Sequence, residues 1–138
     1  MTRDQLRDFL RLHRDGVLST VHRHQPEGAV VGIAVSDACE IVFDALETTH
    51  KVRNLRATPQ VALTVWTGAR TAQVHGHADE PRGAELQALQ QVYYGAFPDG
   101  PSRLPWPGLT YVRIRPHWVR YSDFGAQPAQ FIEIDFQS

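Results

Sequence analysis

The sequence predicts a mainly β domain: about six antiparallel strands closed into a barrel or sandwich, with flanking helices. Three observations carry this reading. Six segments either alternate apolar and polar residues or run apolar and β-branched over strand-like lengths. Most consecutive segments are joined by short turns rich in Gly, Pro or Asp, which pair neighbours antiparallel. Strands and helices do not strictly alternate, which argues against a parallel sheet, and a six-stranded antiparallel sheet most often closes.

Taken in order, residues 2–14 read as an amphipathic helix. Thr2 caps it, Asp4 suits its first turn, Leu6, Phe9, Leu10 and His13 share one face, and Gly16 stops it. "GVLSTVHRH" (16–24) is a strand, "QPEG" (25–28) a turn, and "AVVGIAVS" (29–36) a strand whose near-continuous apolarity suggests burial on both faces. "DACE" turns the chain into a strand over 40–45, followed by a helix over about 49–57 that Pro59 ends. Strands over 60–66 and 71–78 flank the turn "TGAR", with Gly76 expected at a bulge. A helix over 81–97 starts with Pro81 in its first turn. The four prolines of "PDGPSRLPWPG" (98–108) make an extended loop, and a strand over 109–122 is interrupted near Pro116. Residues 129–136 suit an added edge strand.

Composition narrows the function classes. The 138 residues fit one domain, and 42% hydrophobic with 21% charged residues is an ordinary globular balance. A net charge of -1 gives no basic footprint for nucleic acid or an anionic membrane. No apolar run approaches a membrane span, and the N-terminus lacks a signal-peptide core, so a cytoplasmic location is expected. Cys39 is the single cysteine, which removes disulfide frameworks and Cys-based zinc sites. His22 with His24, and His75 with His77, form i, i+2 pairs, but no carboxylate partner is evident and no metal is expected. No Gly-x-Ser-x-Gly or similar nucleophile motif is present.

The stretch "ETTHKVRNLRATP" (47–59) contains the only lysine beside thirteen arginines in the chain. A helix N-terminus carries partial positive charge and favours acidic side chains, yet this one holds His50, Lys51 and Arg53 behind the hydroxyls of Thr48 and Thr49. Hydroxyls, free N–H groups and cations together are what a phosphate dianion requires. The alternative is that Thr49 caps the helix and the basic side chains point into water.

"IVFDALETTHKVRNLRATPQVALTV" followed by "TAQVHGHA" resembles the FMN-binding split-barrel superfamily, the pyridoxamine 5'-phosphate oxidase-like proteins. Thr49, His50, Lys51, Leu55, Pro59, Gln73, Val74 and Gly76 carry the resemblance by order and spacing, and it covers roughly residues 10–122. It implies a single domain over 1–138: a six-stranded antiparallel Greek-key split barrel, homodimeric, with flavin in a cleft between subunits. Thr49, His50 and Lys51 would then hold the FMN phosphate, and Gln73 would meet the flavin ring. The backbone of Val30, Val31, Gly32 and Ile33, and that of Asp44 and Ala45, would flank the isoalloxazine. Trp118 and Arg120 would reach the partner's flavin. His50 stands where the family usually has Arg, "AVVGIAV" lacks the Arg and Lys of oxidase-type members, and "VRYSDFG" replaces their C-terminal Arg-x-His-x-Arg element. Vitamin B6 phosphate is therefore not the expected substrate. The expected function is an FMN-dependent oxidoreductase acting on a small molecule. The alternatives are a deazaflavin F420-dependent reductase, or a non-catalytic flavin- or haem-binding or stress-related protein. No general acid or base is assigned.

Overall fold

The computed structural model describes residues 1–136; Gln137 and Ser138, part of the expected single domain, lie outside the described residues. Helix α1 (Arg3–Leu10) opens on a capping box. The Thr2 hydroxyl accepts from the Gln5 N–H at 3.1 Å, and the Gln5 side chain accepts from the Thr2 N–H at 2.8 Å. Leu6, Phe9 and Leu10 are buried in the main core, as their shared face requires. The helix ends at Leu10, short of the expected 14, and Gly16 belongs to the next strand, where a Cβ would stand 2.9 Å from the Leu63 side chain.

Strands β1 (Asp15–His22) and β2 (Gln25–Gly32) form a hairpin closed by the His22–Gln25 pair. Its turn is therefore Arg23–His24 rather than "QPEG". Both residues take positive φ, 48° and 69°, the conformation that two-residue hairpin turns demand and that Asn-Gly supplies without strain. Pro26 sits inside β2 opposite Val21, and the strand carries no pairing on its other side there, so the missing N–H is tolerated. Left-handed geometry costs an ordinary side chain about 1 kcal/mol per residue. The double substitution Arg23→Asn with His24→Gly is expected to raise the unfolding free energy by about 1 kcal/mol, read as a higher urea midpoint at unchanged slope.

After the single residue Ile33, strand β3 (Ala34–Val35) pairs with β4 (Ile41–Leu46). Helix α2 (His50–Ala57), strands β5 (Gln60–Thr67) and β6 (Arg70–Asp79), helix α3 (Gly83–Ala96), a 3-10 turn (Gly100–Arg103), β7 (Leu109–Asp123) and β8 (Gln130–Asp135) follow. The strand order is β2-β1-β5-β6-β7-β4-β3, all antiparallel. β2 and β3 lie at opposite ends of this order yet are one residue apart in the chain, so the sheet must roll until its edges meet. The joint is partial. Residues Gln25–Gly32 pair only with β1 and Phe43–Leu46 only with β7, which leaves a split between β2 and the end of β4. This is the expected antiparallel split barrel, built from eight strands rather than the six expected, because the run 29–36 divides at Ile33 and the C-terminal segment adds β8. β8 is the added edge strand and pairs the second half of β7, while β4 pairs the first.

Register fixes which side chains face inward. Leu18, Val31, Phe43, Leu63, Val74 and Val112 fill the barrel with Val52 and Leu55 of α2. Helix α3 covers the outer face of β3, β4 and the start of β7, where Leu89 and Tyr93 pack on Ala34, Val42 and Tyr111. The outer face of β2, β1, β5, β6 and the end of β7 carries no such cover, and Val30 is 66% exposed. Burial on both faces, suggested by the apolar run 29–36, thus fails at Val30, because α3 stops short of it. The ladder shifts register between His75 and Gly76, so the expected bulge is present, with His117 as the extra residue on β7. No helix among the described residues is long and apolar enough to cross a membrane.

Candidate cofactor site

The chain leaves β4 at Leu46 and folds directly into the start of α2. Thr49 occupies the N-cap position but does not cap: its hydroxyl turns back and donates to the Leu46 carbonyl at 2.7 Å, beside its own N–H at 3.0 Å. The N–H groups of His50, Lys51 and Val52 consequently have no acceptor among the described residues. The first turn contains no acidic side chain. The Thr48 hydroxyl, the Lys51 ammonium and the Arg53 guanidinium likewise have no hydrogen-bond or ion-pair partner among the described residues. Thr49 therefore does not cap the helix, while Lys51 and Arg53 stay unpaired among the described residues, as in the alternative reading, and the turn presents donors of the kind an anion accepts.

His50 is partnered. Its Nδ1 lies 3.0 Å from Glu27 Oε1, and because a carboxylate only accepts, Nδ1 carries the proton. The other Glu27 oxygen accepts from Asn54 Nδ2, whose amide also donates to the Thr20 hydroxyl at 3.0 Å. The hydrogen bond from His50, then that from Asn54, holds Glu27 below the usual carboxylate range. Beside this network, His22, His50, Arg53 and Asn54 line a concavity of about 140 Å³ between the β1–β2 hairpin and α2.

The backbone segments expected around the ring, Val30–Ile33 and Asp44–Ala45, lie on β2 with its following residue and on β4, the two strands that border the split. Ala45 and Val31 point into the core. The Asp44 carboxylate is held from the opposite side: it accepts from Arg103 Nε at 2.7 Å and from the Tyr93 hydroxyl at 3.0 Å. Burial, then the adjacent Asp44 charge, pushes the Tyr93 hydroxyl up to about 12, so it remains a neutral donor. Arg103 thereby pins the proline-rich loop against β4. The same loop returns beside α2, where the Glu47 N–H donates to the Gly108 carbonyl at 2.8 Å.

Gln73, Trp118 and Arg120 form a second group. Cross-strand pairing aligns Val30, Val17, Thr64, Gln73, Arg120 and Glu133 in one row over the outer face. The next row contains Ala62, His75, Trp118 and Asp135. Gln73 is exposed, Arg120 stacks over the Phe131 ring at 4.8 Å, and Trp118 lies 4.6 Å from the His75 ring. The structure therefore brings Val30, Gln73, Trp118 and Arg120 onto one face and Thr48–Lys51 to the start of α2, and no hydrogen bond joins the two groups. His22 precedes the hairpin turn and His24 is its second residue, and among the described residues no three His, Cys, Asp or Glu side chains cluster closely enough to hold a metal ion.

Glu27, Asn54 and Arg103 escaped sequence reasoning. Glu27 was hidden in a segment read as a turn; only the hairpin register places it on the inner side beside α2. Asn54 had a signal, since it falls four residues after His50 on the same helix face. Arg103 lay in a loop with no period to orient it.

A family model described as pyridoxamine 5'-phosphate oxidase matches residues 2–123. The chain belongs to the pyridoxamine 5'-phosphate oxidase family. No curated protein matches it. Among solved structures, a haem-binding protein from Mycobacterium smegmatis is 17% identical with a TM-score of 0.83; the match covers 96% of this chain and 57% of that one. This family member therefore spans little more than half the length of that relative. An FAD-binding protein from Mesorhizobium loti is 20% identical with a TM-score of 0.71, covering 88% of this chain and 92% of that one. A pyridoxamine 5'-phosphate oxidase-related, FMN-binding protein from Nostoc punctiforme is 13% identical with a TM-score of 0.67, covering 89% and 86%. At these identities the three likenesses establish the shared fold.

Proposed function

We propose that this chain is a homodimeric, FMN-dependent oxidoreductase acting on a small-molecule substrate. The observation that carries the reading is the uncapped start of α2. Three free N–H groups, the Thr48 hydroxyl and the unpaired Lys51 ammonium suit a flavin phosphate. The open borders of β2 and β4 offer backbone to the isoalloxazine, and family membership and the FMN- and FAD-binding neighbours support a flavin. Gln73 would serve a ring carbonyl and N–H. The bare outer face with Val30 is the surface a second subunit would cover, carrying Trp118 and Arg120 to the partner's cofactor. Bound flavin would supply the hydride or electron chemistry, and this chain's residues would bind and orient it. F420 is the alternative cofactor for the same anion site.

A second reading is haem carriage. On the outer face His75 and His117 line a recess of about 300 Å³ with an apolar floor that includes Val21, Pro26, Val61 and Ala62. Imidazole ligates haem iron, and the mycobacterial neighbour is a haem-binding protein. Titrating purified protein separately with FMN, F420 and haemin tests all three. Saturable FMN binding with flavin-type absorbance, followed by NAD(P)H turnover of the loaded protein, is the expected result. Haemin binding with no flavin binding would transfer the proposal to haem, and binding of none would end it.

A further inference from the structure

We infer that Glu27 is an internal anion that competes electrostatically with a ligand phosphate at the start of α2 and thereby sets how tightly this protein holds phosphomonoesters. The identity of the ligand as a flavin rests on the reading above; the competition itself concerns any phosphate group.

The carboxylate is fixed rather than free to swing. One oxygen is held by His50 and the other by Asn54, two side chains four residues apart on one face of α2. Asn54 is 4% exposed and is itself anchored to Thr20, which is 2% exposed, so the clamp is built into the barrel wall. The charged and titratable groups that act on Glu27 are His50 on α2 and His22 on β1, and Arg53 lies on the concavity that these two line with Asn54. Its negative charge therefore stands against the same helical turn whose N–H groups and Lys51 await an anion. Two consequences follow from charge alone. A phosphate arriving at that turn meets a like charge about one side-chain length away. It also finds the protonated Nδ1 of His50 already committed, leaving Lys51 and the backbone as its principal donors. Part of the excess positive charge at this helix start is thus balanced from within the protein.

Removing the charge while keeping the shape should strengthen phosphate binding selectively. In Glu27→Gln the amide oxygen can still accept from Asn54. The Kd for FMN, measured by flavin fluorescence quenching, is expected to fall at least about threefold, the scale of one unit charge at that separation in a largely aqueous dielectric. The Kd for riboflavin, which lacks the phosphate, is expected to stay unchanged, and the FMN gain to shrink at high salt. A second variant, Glu27→Ala, removes the charge without an amide and should give the same selective gain. A parallel titration with inorganic phosphate, following the amide resonances of His50, Lys51 and Val52, separates this inference from the flavin reading. If no flavin binds but phosphate binds more tightly to either variant, the flavin reading fails and the competition stands. If FMN or phosphate affinity is unchanged or weaker in a folded variant, or riboflavin gains equally, the inference is overturned.

Discussion

Lys51→Ala should weaken FMN binding at least tenfold, about 1.4 kcal/mol, while leaving the fold intact and its stability unchanged or slightly higher. The pairing of these outcomes is what makes the test specific. Lys51 has no hydrogen-bond or ion-pair partner among the described residues, so truncation orphans nothing inside the protein. A cation in the first turn also opposes the helix dipole, and its removal should return a few tenths of a kcal/mol. A residue kept for structure would show the reverse, a loss of stability with no loss specific to the phosphate. Titrations with FMN and riboflavin, beside circular dichroism and urea unfolding, measure all of this. Undiminished FMN affinity in the folded variant would remove Lys51 from the site.

Gly76→Ala should destabilise the protein by about 2–3 kcal/mol, the scale of overpacking against backbone that cannot yield. An added Cβ would stand 2.7 Å from the Arg115 carbonyl oxygen and 2.7 Å from Ile114 Cγ2. Neither obstacle is the loose end of a side chain. Arg115 belongs to the long strand β7 at the point where the ladder takes up its extra residue, so relief requires shifting β7 against β6. That shift would also re-aim His117 and Trp118 on the outer face. Urea unfolding measures the loss, and a Gly76→Ala protein as stable as the parent would show that the bulge is pliable.

Much of the architecture was legible in the sequence because local signals agreed with the global fold. The Thr2 cap, the alternation in β5 and β6, the stop at Pro59 and the bulge at Gly76 each have a short-range cause. Errors arose where a local signal was weaker than tertiary context. "QPEG" has turn composition, yet the hairpin places its turn on Arg23–His24, a pair outside the Asn-Gly, Asp-Gly and Gly-Gly pairs by which such turns are recognised. The apolar run 29–36 reads as buried on both faces, but apolarity does not say which face receives α3. At the candidate site, the misplaced cations of α2 are the sequence signal from which an anion is expected. The Glu27 carboxylate beside them, and the Asp44–Arg103 pair that pins the loop, depend on contacts more than twenty residues apart and leave no pattern in the chain.

The stretch Gln25–Val35 belongs to both edges of the sheet, changing partner from β1 to β4 across Ile33 alone. That makes it the least forgiving place in the molecule for a change in chain length. One residue added or lost there would slip two ladders together, turning core side chains outward on one edge and splitting the closure on the other. Length variation should instead collect at Pro98–Gly108, where a loop outside the ladders can absorb it as long as Arg103 still reaches Asp44.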